Sequence, residues 1–125
     1  MSKVWEELII AVLAVSQYPI EKVEPHRSAI REAGLFRVND LAEESIGSLT
    51  NKLKKAGYDR GKLTWQFADR LISLGKHVVE RDQLLLEQQL SAGDERVVEA
   101  TLIPIYGIGP KVVENFIELR RRAST

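Results

Sequence analysis

Apolar residues recur at intervals of three and four along most of this 125-residue sequence, and this spacing constrains the fold more than any other feature. Such spacing places apolar side chains on one face of an α-helix, whereas a half-buried strand needs alternation every second residue. That alternation never continues beyond a few residues here. We therefore predict a single all-α domain over residues 1–125, a compact bundle of short helices.

End signals divide the sequence into seven or eight predicted helices. Ser2, Asn39, Ser45 and Asp94 each precede a helical segment, and these residue types favour the N-cap position. Glycine or proline follows most segments, as is typical of helix ends. The predicted helices cover residues 3–16, 25–33, 40–43, 46–56, 62–79, 84–90, 95–101 and 110–122. Within them we expect the following side chains to pack in the core: Trp5, Ile46, Leu63, Trp65, Phe67 and Phe116.

The composition argues against a metal or cofactor. Without cysteine the chain cannot form a disulfide, a thiolate zinc site or a cysteine-ligated iron–sulfur cluster. Its two histidines, His26 and His77, are distant in sequence and cannot form a metal site by themselves. We expect no cofactor.

The sequence also argues against a membrane partner. The longest apolar run, Leu8 to Val15, is eight residues long, whereas a spanning helix needs about 20. The first residues reach Glu6 at once and do not resemble a signal peptide, so we expect a cytoplasmic protein. Eighteen basic residues balance eighteen acidic ones, so any binding of a polyanion must depend on local geometry rather than on net charge.

A glycine-rich turn precedes the last predicted helix and is the strongest functional signal. Gly107 and Gly109 flank the apolar Ile108, and Pro110 then begins a helix. Glycines let a ligand approach the backbone, and the first amides of a helix carry the positive end of its dipole. We predict a phosphate site here, with Ile108 packed in the core and Lys111 beside the phosphate. An ordinary helix–helix connection is the alternative.

This stretch, IYGIGPKVV over residues 105–113, resembles the helix-hairpin-helix motif of the endonuclease III-like base-excision DNA glycosylases. The family pattern is apolar-Pro-Gly-apolar-Gly-x-Lys-x-Ala, and here Tyr106 replaces the proline and Val113 the alanine. Residues 7–17 and 46–62 resemble upstream parts of the family in the same order. The resemblance covers roughly residues 5–119, which corresponds to the family's six-helix barrel domain, with the motif over about 95–122.

The resemblance implies a function in DNA base excision repair on double-stranded DNA, either damaged or abasic. In some members of the family, the position of Gln17 fills the gap that a flipped base leaves; the alternative for Gln17 is a polar helix end facing solvent. The position of Lys111 holds the Schiff-base nucleophile of bifunctional members. In non-catalytic motifs the same lysine contacts phosphate. No Asp follows Lys111 in this sequence, so the family's usual catalytic carboxylate is missing. The alternatives are a relocated carboxylate, a lyase using lysine only, a subunit of a split enzyme, or a non-catalytic DNA binder.

Further residues are predicted to contact DNA because of their position in turns or their charge. Tyr58 and Tyr106 lie in turns, where the alternative is a half-buried structural tyrosine. Arg60 and Lys62 form, with Lys52, Lys54 and Lys55, the densest basic cluster before the C-terminus, which offers a second phosphate contact or simply a solvated face. If the turn is purely structural, the chain is instead a helical protein–protein interaction module. A separate alternative is the DNA-binding subunit of a larger repair complex.

Overall fold

A computed structural model describes residues 3–91 and 94–124, and in this part of the chain it contains α-helices and short 3₁₀ turns but no strand. The all-α prediction is therefore confirmed. The helices are α1 (Val4–Leu13), α2 (Ile20–Val23), α3 (Arg27–Glu32), α4 (Val38–Leu41), α5 (Ile46–Lys55), α6 (Thr64–Val79), α7 (Gln83–Ser91), α8 (Glu95–Leu102) and α9 (Pro110–Ser124). The 3₁₀ turns are Glu24–His26 and Gly61–Leu63. None of the helices in the described ranges has both the length and the apolar character needed to cross a membrane.

The first helix lies at the centre of the bundle. Every residue of α1 except Glu6 is buried, and α9 packs along it. Its one buried charge, Glu7, accepts a hydrogen bond of 2.6 Å from the Arg120 guanidinium of α9. Because an unpaired buried carboxylate is costly, this pair fixes how the last helix lies on the first.

The longest helix, α6, packs closely against α4 at Gly75. A Cβ atom at this position would lie 2.6 Å from the backbone nitrogen of Ala42 and 2.9 Å from the carbonyl oxygen of Val38. Glycine is therefore needed here to let two backbones approach each other, even though it lowers the intrinsic stability of a helix.

Two of the predicted helix caps are confirmed. The Ser45 hydroxyl accepts a hydrogen bond of 3.1 Å from the Ser48 amide, and the Asp94 carboxylate accepts one of 2.9 Å from the Arg96 amide. In contrast, Asn39 lies inside α4 and does not cap it; the residue before that helix is Arg37. Ser2 lies outside the described residues.

Several predicted helix boundaries are wrong. α1 ends at Leu13 rather than Ser16, because side chains from distant segments bind its last carbonyls. The predicted helix over 25–33 divides into the 3₁₀ turn Glu24–His26 and α3, and the short helix α2 precedes it. These differences arise from tertiary contacts that no local pattern encodes.

Three of the six predicted core side chains are confirmed. Trp5, Phe67 and Phe116 are buried. Trp65, Leu63 and Ile46 are instead 51%, 44% and 43% exposed. All three lie in or next to the first turn of a helix, where helical spacing alone does not guarantee that a neighbour covers the side chain.

Candidate nucleic-acid interface

The glycine-rich turn forms a tight hairpin between α8 and α9. Hydrogen bonds from the Ile105 amide to Leu102 O (3.0 Å) and from the Ile108 amide to Ile105 O (3.1 Å) fold it back on itself. Gly107 has φ +86°, a left-handed value that favours glycine. Ile108 is 7% exposed, so its side chain anchors the hairpin in the core, as predicted.

Four backbone amides at this hairpin have no acceptor in the described part of the protein. They belong to Tyr106, Gly107, Gly109 and Lys111, whereas the next amides, of Val112 and Val113, donate to Gly109 O. No heavy atom lies within 4 Å of the place a Cβ would occupy on Gly109. Open amides therefore meet the positive end of the dipole of a 15-residue helix, a combination that suits an anion.

Lys111 is a solvated residue of this turn. Its side chain is 61% exposed, and its amine lies 3.6 Å from the carboxylate of Glu114, which is 72% exposed. Glu21 is also near: a backbone hydrogen bond and the Arg122 guanidinium lower its pKa, and the Lys111 charge adds to this effect. A Schiff-base amine needs desolvation or a neighbouring cation, whereas Lys111 is exposed and lies beside a carboxylate.

Two other predicted contact residues lie at the surface. Tyr106 is 70% exposed at the tip of the hairpin. Lys62 is exposed in the 3₁₀ turn that follows Arg60. Lys52, from the same basic cluster in the sequence, forms an ion pair with Glu44 and so belongs to the solvated face of α5.

Tyr58 is not a surface residue, and its predicted contact with DNA is wrong. Its side chain is 0% exposed, and its hydroxyl donates a hydrogen bond of 2.7 Å to Leu13 O. Its ring packs edge-on against Tyr18 and Phe67, with centroids 5.2 and 5.8 Å away. Burial raises the pKa of Tyr58 to about 12, so it remains a neutral donor at neutral pH.

Arg60 is held by the protein itself. Its guanidinium donates to Val15 O (2.8 Å) and Ser16 O (2.7 Å) and lies 4.7 Å from the ring centroids of both Tyr18 and Phe67. Much of its hydrogen-bonding capacity therefore fixes the chain that leaves α1, rather than facing a ligand as predicted.

The end of α1 links the hairpin helix to the turn that contains Gln17. Asn115 of α9 is buried, and its amide donates to Ala11 O (3.2 Å) and Ala14 O (2.7 Å). Beyond this point Ser16 and Gln17 are both exposed with φ of 60° and 66°. Two successive left-handed residues other than glycine are unfavourable, so the Arg60 hydrogen bonds hold this turn in place.

Arg70 is a residue of this surface that the sequence reasoning missed. A Cβ on Gly107 would lie 2.7 Å from the Arg70 Cγ, so Arg70 packs directly against the hairpin. Its guanidinium lies 5.1 Å from the Phe67 ring centroid. The spacing of Phe67 and Arg70, three residues apart on one helix, would have indicated a shared face. Contacts thus run without a gap from Gly107 through Arg70, Phe67 and Arg60 to Ser16.

No protein family, curated protein or solved structure gives a significant match to this chain. The similarity to glycosylases therefore rests on the sequence motifs alone.

The arrangement contains donors and cations but no metal site. Across residues 3–91 and 94–124, no group of three or more His, Asp or Glu side chains lies close enough to hold a metal ion. Among the residues predicted from sequence, those near one another are the hairpin, Arg60 and Gln17. This surface suits the binding of an anion.

Proposed function

We propose that this protein binds the backbone of double-stranded DNA through its helix-hairpin-helix turn. The observation that supports this most directly is the set of amides of Gly107, Gly109 and Lys111, which lack a protein acceptor at the start of α9. A phosphate on these amides would be held by local dipoles, which agrees with a chain of zero net charge. The exposed side chains of Tyr106 and Lys111 would lie on either side of this phosphate.

We further propose that the chain is a barrel domain of the DNA glycosylase type that recognises damaged or abasic duplex DNA. The turn at Ser16 and Gln17 supports this, because it lies on the surface that continues from the hairpin through Arg70, Phe67 and Arg60. A strained and exposed residue that the fold clamps in place is a good candidate for a functional contact. Gln17 would then enter the gap beside a displaced base.

Titration of a labelled duplex with the protein tests the proposal. We expect binding at low salt. A plot of the logarithm of the affinity against the logarithm of the salt concentration should have a slope that corresponds to about two neutralised phosphates. A duplex carrying one abasic site should bind more tightly than the intact duplex. Absence of binding to either duplex at low salt would contradict the proposal.

Lys111 is proposed to contact phosphate and not to act as a nucleophile. Because its amine is exposed beside Glu114, borohydride added to the protein with abasic DNA should trap no covalent adduct. Lys111→Ala should weaken DNA binding by about threefold to tenfold, whereas Lys52→Ala, which removes an amine from the face of α5, should leave it unchanged. An adduct that disappears in Lys111→Ala would instead identify a lyase.

One feature favours the second candidate function, a protein-interaction module. A groove between α8 and α9 has a volume of about 320 Å³, and its lining includes the apolar Ile103, Val113 and Ile117 together with Glu95, Glu99 and Glu114. Ile103 is 43% exposed, and such an apolar groove is suited to a second subunit. DNA titration separates the two functions, because a protein that acts only through this groove should not bind the duplex.

A further inference from the structure

Two arginines lie around the ring of Phe67 immediately beside the hairpin. The guanidinium groups of Arg60 and Arg70 are 4.7 and 5.1 Å from the ring centroid. Neither forms an ion pair with a carboxylate in the part of the chain that the structure describes. Two cations that share one ring repel each other, and an anion placed near them would relieve this repulsion.

The two arginines differ in how many of their N–H donors already form hydrogen bonds within the protein. Arg60 donates to Val15 O, Ser16 O and the Tyr58 hydroxyl, so most of its fork is occupied. Arg70 makes no side-chain hydrogen bond to any described residue, and its side chain is only half-exposed. Its five N–H groups are therefore available for a ligand.

The position of Arg70 is set before any ligand arrives. Its aliphatic stem lies against Gly107, where a Cβ would meet Cγ, Cβ and Cδ at 2.7, 3.2 and 3.4 Å. Stacking on Phe67 holds the guanidinium end. A guanidinium held in this way loses little conformational freedom on binding, and its planar fork matches two phosphate oxygens.

We propose that Arg70 binds a second DNA phosphate, the neighbour of the one on the hairpin amides. This inference rests on the proposed DNA-binding function and adds a residue and a subsite to it. The hairpin amides and Arg70 together bind two successive phosphates of one strand. Arg60 holds the ring and the adjoining turn in place and adds its charge to the subsite.

The test compares Arg70→Gln with the unaltered protein on one duplex over a series of salt concentrations. The expected result is about tenfold weaker binding and a salt slope smaller by about one, because one phosphate contact is lost. Arg70→Lys should restore the slope but only part of the affinity, since an ammonium keeps the charge and loses the fork. Thermal melting of both variants reports on folding.

Arg37→Gln is the matched control. Arg37 also lacks an ion pair among the described residues, and it lines a cavity with Trp5 at the start of α1, whereas the proposed subsite lies beyond the end of α1. This variant should bind DNA with unchanged affinity and slope.

The outcomes separate the two proposals. If the unaltered protein binds DNA and Gly109→Ala weakens that binding, the hairpin is the phosphate site. If Arg70→Gln then has an unchanged salt slope, the Arg70 subsite is wrong, whatever the affinity. If the unaltered protein does not bind DNA at low salt, the proposed function itself fails.

Discussion

Replacing Gly75 with alanine is expected to lower the free energy of unfolding by about 3 kcal/mol. The new methyl group would lie 2.6 Å from the backbone nitrogen of Ala42 and 2.9 Å from the Cβ of Leu41. Backbone atoms cannot rotate away as a side chain can, so α4 and α6 must move apart. The gain in helix propensity, about 1 kcal/mol, does not offset this. In a domain of this size the midpoint of thermal unfolding should fall by roughly 10 °C.

Gly47→Ala is the control for this prediction. It also adds a methyl group to a glycine within a helix, but that methyl group would meet no neighbouring atom. No heavy atom lies within 4 Å of a Cβ at Gly47, and its φ is not positive. We expect it to raise the free energy of unfolding by up to about 1 kcal/mol. Denaturant titration of both variants measures the two effects. A Gly75→Ala protein as stable as the unaltered chain would contradict the close packing of α4 on α6.

Gly109→Ala is expected to weaken DNA binding at least about tenfold, or about 1.4 kcal/mol, while the fold is retained. A Cβ at Gly109 meets no protein atom within 4 Å and the φ is not positive, so alanine fits the free protein. The methyl group would, however, occupy the space through which a phosphate reaches the amides of Gly109 and Lys111. Because Gly109 precedes the first residue of α9, alanine should cost the helix start less than about 1 kcal/mol.

Binding of Gly109→Ala to a labelled duplex should be compared with that of Gly47→Ala, which changes the surface of α5 only. Gly107→Ala is less informative, because its φ of +86° and its contact with Arg70 would disturb the hairpin itself. Unchanged DNA affinity in Gly109→Ala, with DNA binding by the unaltered protein, would show that phosphate does not approach the hairpin amides.

Parts of the candidate site could be predicted from sequence because they depend on neighbouring residues alone. The bend at Gly107 and Gly109, the helix start at Pro110 and the burial of Ile108 follow from backbone freedom, the fixed φ of proline and apolar character. The caps at Ser45 and Asp94 are equally local, since each side chain binds an amide two or three residues away.

Other parts depend on which segments meet in space. Tyr58 and Tyr106 occupy similar turns in the sequence, yet one is fully buried and the other is 70% exposed. The difference arises because the carbonyl of Leu13, 45 residues away, accepts a hydrogen bond from the Tyr58 hydroxyl. Arg70 likewise has no local signature beyond its spacing from Phe67, and only the contact with Gly107 brings it to the hairpin.

The sequence by itself determined that this protein is helical, where most of its helices start, and that a glycine hairpin precedes the last one. These properties follow from side-chain spacing and from capping over a few residues. Only the tertiary structure decided where α1 ends and which cations lie beside the hairpin. The carbonyls at the end of α1 are bound by Tyr58, Arg60 and Asn115, which come from distant segments. Hydrogen bonds of this kind form only when the core has brought their partners together, so their effect on the surface cannot be derived from local pattern.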